Sequence, residues 1–404
     1  MENRNKQTRR EFLTKSALGV AGMAVTANWL SSCSRRSKTE LSLPPLLSEA
    51  PDGKPLKAGL VGCGGRGTGA AVQFLNAGPN LELAAMGDVF EDQLMDSRKR
   101  IKDQTGQEVP DDQCFTGFDA YRKVIGSGVD IVILATPPYF RPLHFAACVD
   151  AHKHVFMEKP LGVDPVGIRS IISSSKRADD LGLTVITGTQ RHHQESYIET
   201  YKRIMQGEIG DIVAANCYWN TGQVWYKTRK PGWSDMEYMI RNWNNFCWLQ
   251  GDHIEDQGVH NIDVINWFMG GKFPQRTVGF GSRHRRITGD QYDNFSVDYI
   301  YEGEIHMHAM FRQIDGCANN VGEYIRGTKG YSDCRSYIVK TNGEKVWTYE
   351  KPEEVNSPYL QEHIHLVTSI RRDEPVNEAE FTAKSTLTSI MGRISAYTGK
   401  EVTW

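Results

Sequence analysis

The chain has 404 residues, a formal net charge of −2 at pH 7 and a sequence pI near 6.6. This near-neutral balance, without a block of like charge, lacks the electrostatic footprint of a nucleic-acid-binding protein, and we expect no nucleic-acid partner. The eight cysteines include no Cys-x-x-Cys pair, which argues against a zinc knuckle or a disulfide framework. About 350 residues remain after the N-terminal segment, and this length predicts two domains.

The N-terminus has the pattern of an export signal. Residues 8–15 carry a twin-arginine pattern, and the uncharged stretch that follows is about 15 residues long, too short for a stable membrane span. Residues 1–33 therefore predict export by the twin-arginine route to the periplasm. Residues 30–33 resemble a lipoprotein processing box, which predicts a lipid anchor at Cys33; an ordinary cleaved signal with an incidental cysteine is the alternative. Residues 34–52 show no helical or strand period and are predicted to be a linker.

A glycine-rich loop at residues 62–67 predicts a dinucleotide-binding site. It lies between the apolar run 56–61 and the helix-like run 68–75, which is the strand, turn and helix order that such a loop needs. Glycines allow the backbone to approach a pyrophosphate closely, and the helix N-terminus supplies N–H donors. The candidate cofactor residues in this loop are Gly62, Gly64, Gly65, Arg66 and Gly67, with Arg66 as a candidate phosphate partner.

An acidic residue follows the second strand-like run. This run, residues 81–86, is followed by Gly87 and Asp88. An acid roughly 20 residues beyond the glycine loop accepts hydrogen bonds from the ribose 2′-hydroxyl of NAD, whereas NADP carries a phosphate there. Asp88 therefore favours NAD over NADP as the cofactor, and a glycine-rich turn with a surface acid is the alternative.

Strand-like and helix-like segments alternate as far as residue 188. Apolar runs at 130–136, 154–157 and 183–187 continue the series, so residues 53–188 predict a doubly wound parallel sheet, the α/β Rossmann domain. Ligands of such a sheet bind outside the carboxyl ends of its strands. The side chains expected to converge in that crevice are Asp88, Thr136, Pro137, Glu158 and Lys159.

The pattern changes after about residue 210. Alternating strands are predicted at residues 211–219, 277–284, 294–301, 305–311 and 324–327. They indicate a largely antiparallel α+β domain with one helical layer, at residues 189–376, for substrate binding and oligomerisation. Two helices are predicted to close the chain, at 358–372 and 379–397, and the C-terminal segment 377–404 is expected to pack back on the first domain.

A second cluster of polar residues recurs with helical spacing. Four residues separated by four, three and four positions are predicted to share one helix face, with the intervening aliphatic residues on the buried side: Asp256, His260, Asp263 and Trp267. A histidine near its usual pKa of about 6.5 takes a hydroxyl proton at neutral pH, and a nearby carboxylate would orient it. Lys159, as a cation, would stabilise alkoxide character on the reacting oxygen.

Nitrogen and oxygen donors near this cluster also allow a metal interpretation. The donors are His253, Glu255, Asp256 and His260. They do not form the simple two-histidine motif of a helical metal site, so we predict no bound metal.

In chain order, these landmarks resemble the glucose-fructose oxidoreductase, inositol dehydrogenase and rhizopine catabolism (Gfo/Idh/MocA) family, over roughly residues 55–395. The specific pieces are Glu158-Lys159-Pro160 and Asp256-x-x-x-His260. The resemblance implies NAD(P)-dependent oxidation or reduction of carbohydrates and polyols, and an open-faced sheet that forms a homo-oligomer contact. It also implies that Lys159, Asp256 and His260 form the catalytic group and that Glu158 lies beside the nicotinamide.

Substrate residues are sought in two places. Residues 219–248 hold five of the nine tryptophans, and aromatic faces beside amides suit a sugar; a hydrophobic core patch or subunit interface is the alternative. Trp225 and Trp243 are the candidates there. Gln190 and Arg191 follow the sixth strand-like run, where the resembled family often has cofactor-side and substrate-side residues, and they are assigned those roles in that order. Lys159 and His260 complete the predicted substrate contacts.

Three functions follow from these features. The first is an exported oxidoreductase that acts on a sugar, glycoside or polyol hydroxyl with tightly bound NAD. The second is an NAD-assisted glycoside hydrolase that uses transient oxidation and elimination. The third is a non-catalytic sugar-binding lipoprotein. The presence of both Lys159 and His260 favours the first.

Overall fold

The computed structural model describes residues 45–404. The predicted export signal at 1–33, Cys33 and the first part of the predicted linker, 34–44, lie outside the described residues. Within the described range, no helix combines the length and apolar character that crossing a membrane requires.

Six parallel strands form the first sheet, in the order β3-β2-β1-β4-β5-β6. They are β1 Leu56–Val61, β2 Leu81–Asp88, β3 Cys114–Thr116, β4 Ile131–Leu134, β5 His154–Met157 and β6 Val185–Thr187. The connecting helices are α1 Gly65–Leu75, α2 Glu91–Thr105, α3 Ala120–Gly126, α4 Arg141–Asp150 and α5 Pro165–Asp180. The central strands are continuous apolar runs because helices cover both faces of the sheet, and the predicted Rossmann fold is confirmed.

Helix α1 begins at Gly65, earlier than the predicted start at residue 68. Only residues 62–64 remain as loop. The prediction was wrong at this boundary because we placed all the glycines in the turn, whereas Gly65 and Gly67 adopt helical backbone and bring the helix close to β1.

The second sheet has nine strands, in the order β14-β13-β12-β11-β7-β10-β9-β8-β15. Only the β7–β10 pair is parallel among its described strands, so the largely antiparallel prediction is confirmed. The strands are β7 Ile212–Thr221, β8 Arg276–Ser282, β9 Asn294–Tyr301, β10 Ile305–Gln313, β11 Asn320–Gly327, β12 Gly330–Ser332, β13 Tyr337–Lys340, β14 Lys345–Thr348 and β15 Val402–Thr403. Strands β12 to β15 were not predicted because each is too short for its alternation to stand out.

The α-helices between β6 and β8 are α6 Glu195–Met205, α7 Asp235–Arg241, α8 Cys247–Gln250, α9 His253–Asp256 and α10 Gly258–Phe268. Helix α10 packs against strands β7, β10 and β11 of this sheet. Every residue of α10 is buried, so the prediction that it has one polar and one buried face was wrong. The helix is enclosed by strands on one side and by the C-terminal helix on the other. Asp256 ends the separate short helix α9.

Two long helices close the chain, α11 Pro358–Arg372 and α12 Ala379–Thr398. Helix α11 places Ile364 and Val367 in the core of the Rossmann domain, although the predicted second domain ran to residue 376. Helix α12 contacts α5 of the first domain and β8 of the second, and β15 then pairs with β8. The C-terminal segment, which we predicted to pack on the first domain, therefore connects both domains.

Residues 45–52 are held against the first domain, which corrects the linker prediction for this part of 34–52. Ala50 is 1% exposed, and its N–H donates to the Ala77 carbonyl at 2.7 Å. His365 Nε2 lies 3.1 Å from the Pro45 carbonyl oxygen. These residues form no helix or strand and have no hydrophobic period, so the sequence pattern did not predict that they pack on the first domain.

Candidate active site

A cavity of about 420 Å³ opens at the carboxyl ends of the Rossmann strands. It lies where the strand order reverses between β1 and β4, the usual ligand position in a doubly wound sheet. Its lining includes most of the predicted cofactor residues: Gly62, Gly64, Gly65, Arg66, Gly67, Asp88, Thr136 and Pro137.

The glycine loop owes its shape to two positions where a side chain has no room. Gly62 has a φ of +95°, and a Cβ there would lie 2.7 Å from the backbone of Ala135. A Cβ on Gly67 would overlap the carbonyl oxygen of Gly62. Because both positions require glycine, the loop presents bare backbone N–H groups to the cavity.

Asp88 is fixed beside this loop by backbone donors. Its Oδ2 accepts the Cys63 N–H at 2.7 Å and its Oδ1 accepts the Phe90 N–H at 2.9 Å. Burial raises the pKa of Asp88. Asp88 also lines the cavity, which matches the predicted role of its carboxylate toward a ribose hydroxyl.

Arg66 turns toward two carboxylates. Its Nε donates to Glu158 Oε1 at 2.5 Å, and its Nη2 donates to Glu362 Oε1 at 2.8 Å. Burial raises the pKa of Glu362, which lies on helix α11. The guanidinium that we predicted to bind phosphate is therefore engaged beside Glu158, where the resemblance places the nicotinamide.

Lys159 and Asp256 meet across the two domains. Lys159 Nζ donates to the Asp256 backbone carbonyl at 2.7 Å and to its Oδ1 at 3.2 Å. The other carboxylate oxygen, Oδ2, accepts from Gln250 Nε2 at 2.9 Å and from Gln257 Nε2 at 2.5 Å. Hydrogen bonds on both oxygens hold the carboxylate in one orientation, and the carboxylate in turn holds the ammonium group.

His260 lies close to this pair and is stacked on Trp219, with ring centroids 5.5 Å apart and planes inclined at 20°. Burial lowers the pKa of His260 well below its ordinary value, and the positive charges of Lys159, Arg191 and Arg66 lower it further. The ring is therefore neutral at neutral pH and can accept a proton.

A nearby carboxylate was predicted to orient this imidazole, but the two acids of the cluster have other partners: Asp256 pairs with Lys159, and Asp263 lies against His192. Asp263 Oδ2 lies 2.7 Å from His192 Nε2. Among the hydrogen bonds of residues 45–404, none joins a carboxylate to the His260 ring, so this part of the prediction was wrong. The physical reason is that Asp263 faces the segment Gln190–His193, where its buried carboxylate pairs with His192.

Arg191 also contacts Trp219, with its guanidinium carbon 5.8 Å from the ring centroid. It pairs with the buried carboxylate of Glu323, which also accepts the Tyr197 hydroxyl at 2.9 Å. Gln190 is buried, and its amide donates to the Tyr359 hydroxyl at 3.4 Å. Arg191 thus reaches the surroundings of His260, while Gln190 lies next to helix α11.

Trp225 and Trp243 line the cavity that contains the glycine loop and Asp88. Their ring centroids are 6.3 Å apart in an edge-to-face arrangement. We predicted substrate contacts for these tryptophans, but the structure places them on the cofactor side. Trp219, which we had not selected, is the tryptophan beside His260.

The donors considered for a metal have protein partners instead. His253 Nδ1 lies 3.2 Å from Asp252 Oδ1, and Arg393 Nε lies 3.0 Å from Glu255 Oε1. In the described part of the chain, no group of three or more histidine, cysteine or acidic side chains is arranged to hold a metal ion.

Comparison with known proteins agrees with this architecture. Residues 56–187 match the model of an oxidoreductase family with an NAD-binding Rossmann fold, GFO_IDH_MocA. The chain is 21% identical over 290 residues to the NAD-dependent scyllo-inositol 2-dehydrogenase of Bacillus subtilis. The aligned region covers 71% of this chain and 72% of that protein. It is 27% identical over 175 residues to a glycosyl hydrolase family 109 protein of Shewanella pealeana, which covers 43% of this chain and only 38% of the relative.

A solved structure shows the same fold over nearly its whole length. The scyllo-inositol dehydrogenase of Lactobacillus casei with bound NAD(H) and scyllo-inositol superimposes with a TM-score of 0.65 at 21% identity, over 86% of this chain and 99% of that one. Residues 56–187 thus match the NAD-binding Rossmann domain of the Gfo/Idh/MocA oxidoreductase family.

Proposed function

We propose that this chain oxidises or reduces a hydroxyl-bearing carbon of a neutral sugar, glycoside or polyol, using NAD held in the cavity. The observation that carries the proposal is the meeting of Lys159, Asp256 and His260 at the junction of the two domains, beside Glu158. The glycine loop and Asp88 fit the cofactor, since the loop leaves room for a pyrophosphate and the carboxylate accepts from a ribose. Bound NAD supplies the hydride acceptor or donor.

The protein's own groups handle the proton and the charge. Neutral His260 takes the proton of the substrate hydroxyl. Lys159 stabilises the negative charge that develops on the oxygen, and Asp256 positions Lys159 through the ion pair. Trp219 supports the imidazole from one face and so restricts its orientation.

Charge pairing supports a neutral substrate. Each cation that acts on His260 has its own carboxylate partner: Arg66 has Glu158 and Glu362, Lys159 has Asp256, and Arg191 has Glu323. An anionic substrate would need a cation that these carboxylates have not already neutralised. The named activity of the Bacillus subtilis relative, on scyllo-inositol, is consistent with a neutral polyol.

The test is an assay of the NAD-loaded protein with inositols, hexoses, methyl glycosides and, for comparison, uronic acids. We expect nicotinamide fluorescence to rise with a neutral substrate and mass spectrometry to find a ketone lighter by two hydrogen atoms. The uronic acids should react more slowly than their neutral counterparts. Absence of an oxidised product throughout the panel would refute the proposal.

A glycoside hydrolase is the second candidate, favoured by the similarity to the Shewanella pealeana protein. In that reaction, transient oxidation acidifies a neighbouring C–H bond, elimination breaks the glycosidic bond, water adds to the resulting double bond, and the hydride returns to the ketone. The same assay separates the two, because a hydrolase would release free sugar from a methyl glycoside without net formation of NADH. We rank net redox chemistry above glycoside hydrolysis because this chain has Lys159 in its Glu-Lys-Pro segment.

We also propose twin-arginine export, with NAD bound before transport and with a lipid at Cys33. The support is the sequence of residues 1–33, which lie outside the described structure. A periplasmic enzyme needs a retained cofactor, because free dinucleotide is not regenerated there. A second sugar or a partner would have to accept the electrons of the bound NADH before the next turnover. Cell fractionation of wild type and of Arg9→Lys/Arg10→Lys would test export; equal amounts in the periplasm would contradict it. Mass spectrometry of the mature N-terminus would show whether Cys33 is lipidated.

A homo-oligomer formed through the open face of the second sheet completes the proposal. Strand register places Phe280, Met310 and Tyr218 in one row across this face, and Phe280 is 71% exposed. Large apolar side chains in a row are typical of a subunit interface. Light scattering should find an oligomer for wild type and a smaller mass for Phe280→Lys; a monomeric wild type would refute this contact.

A further inference from the structure

We propose that the second domain contributes its own NAD-binding surface, a segment at residues 222–246 that we call the strap. The strap covers the adenosine half of the bound nucleotide and slows its release. This inference rests on NAD binding in the cavity described above, but not on the identity of the substrate.

The strap leaves the second sheet and reaches the wall of the first domain. It begins after the last residue of β7, contains helix α7 and ends before α8. Its side chains line the cavity together with Gly64, Asp88 and Phe90: Trp225, Lys227, Ile240, Arg241 and Trp243. Since Asp88 marks the adenosine ribose, the strap lies over that half of the nucleotide.

A two-point ion pair fastens the strap to the first domain. Arg241 Nη1 and Nη2 each donate to one carboxylate oxygen of Asp92, at 3.1 Å. Asp92 lies in the first turn of α2, just beyond Asp88. The guanidinium also lies 3.8 Å from the centroid of the Phe90 ring. The hydrogen bonds from Arg241 lower the pKa of Asp92, so the pair is charged at neutral pH.

Both ends of the strap are fixed to its own domain. The Gln223 N–H donates to Asp315 Oδ1 at 2.8 Å, and Arg286 Nη1 donates to Asn245 Oδ1 at 3.2 Å. The Tyr238 hydroxyl lies 2.8 Å from the hydroxyl of Thr288. With these anchors in place, nucleotide that leaves on the adenosine side must first separate Arg241 from Asp92.

Lys227 supplies charge to this surface. Burial lowers the pKa of Lys227, and Arg241 lowers it further. Its ammonium group lies 5.7 Å from the Trp225 ring centroid, and no carboxylate forms an ion pair with it among the described residues. An exposed ammonium that forms no ion pair with a carboxylate suits a nucleotide diphosphate, and the flanking tryptophans provide faces for the adenosine.

The experiment measures the rate at which NADH leaves the full-length protein. Protein loaded with NADH is mixed with a large excess of NAD⁺, and the loss of bound-NADH fluorescence is followed. Arg241→Gln should release NADH about 5- to 30-fold faster, since it removes an ion pair and a cation–π contact. Asp92→Asn should release NADH only about 2- to 5-fold faster than wild type, because the Asp92 carboxylate is largely exposed.

The matched control is Arg229→Gln. Arg229 pairs with Asp235 inside the strap and makes no ion pair with the first domain. Its release rate should stay within about twofold of wild type, the range expected when an exposed pair is lost. The Asp92→Asn/Arg241→Gln double variant should release NADH no faster than Arg241→Gln alone, because both single changes open the same contact. Lys227→Gln and Trp225→Ala should each raise the Kd for NADH about 3- to 10-fold, the loss of a single charged or aromatic contact.

Equal release rates for wild type, Asp92→Asn and Arg241→Gln would overturn the proposal, and so would a control variant as fast as Arg241→Gln. The outcome is independent of substrate turnover. Slow NADH release by a protein that oxidises no hydroxyl would refute the proposed function and leave the strap intact. Normal sugar oxidation, with the same NADH release rate in wild type and the Arg241 and Asp92 variants, would refute the strap and leave the proposed function intact.

Discussion

Lys159→Ala and His260→Ala are each expected to lower turnover by about 10²- to 10⁴-fold while NAD stays bound. Lys159 loses its role as the cation beside the reacting oxygen, and His260 its role as proton acceptor, but neither side chain lines the cavity around the glycine loop. Steady-state kinetics and the nucleotide content of the purified variants measure the two effects. Lys176→Ala, an exposed change on α5, is the control and should retain wild-type turnover. Full activity in both site variants would show that the assigned site is wrong.

The residual activity of Lys159→Ala should also depend on pH differently from the activity of wild type. In wild type the positive charge of Lys159 helps to lower the pKa of His260, so the ring becomes protonated and inactive only at low pH. Removing this charge raises the pKa of His260. The acidic limb of the pH profile should therefore move to higher pH, and an NMR titration of the histidine should show the same direction. An unchanged limb would mean that His260 is not the proton acceptor or does not feel Lys159.

Gly67→Ala is expected to weaken NADH binding at least about tenfold and to lower the free energy of unfolding by about 1–3 kcal/mol. The new Cβ would overlap the carbonyl oxygen of Gly62, so the helix must move away from the strand and the loop must change shape. Fluorescence titration with NADH and denaturant unfolding measure the two losses.

Gly65→Ala is the matched control for this change. A Cβ at Gly65 meets nothing within 4 Å, and the residue is already in the first turn of α1. Alanine is a better helix former than glycine by about 1 kcal/mol, so stability should be unchanged or slightly higher. Similar losses in both variants would mean that the loop tolerates neither side chain and that the overlap at Gly67 is not the cause.

Local patterns were sufficient for the Rossmann domain. Parallel strands buried on both faces are continuous apolar runs, and their carboxyl ends meet at one edge, so Asp88 and Lys159 could be placed near one crevice from the sequence alone. The longer strands of the second sheet were also predicted, because alternation over eight or nine residues is a strong signal, as in β9 Asn294–Tyr301 and β10 Ile305–Gln313.

Side-chain partners were much harder to predict. Arg66 has the right position for a phosphate, but its partner Glu362 is 296 residues away and has no motif of its own. Trp225 and Trp243 share a tryptophan-rich segment with Trp219, and nothing in their spacing tells which tryptophan meets His260. The path of the irregular segment 222–234 decides this, and an irregular segment has no hydrophobic period from which its path could be predicted.

The sequence by itself determined the two-domain architecture and the cofactor loop, because these depend on short-range periodicity and motif spacing. The resemblance to the family marked Lys159, Asp256 and His260 as the candidate catalytic group. Only the tertiary structure decided which groups surround them. Helix α10 is completely buried, with Asp263 against His192 and with His260 near the cations Lys159, Arg191 and Arg66. In the strap, Arg241 reaches Asp92 of the first domain. Such pairings follow from how the two domains pack on each other, and packing between distant segments leaves no local pattern in the chain.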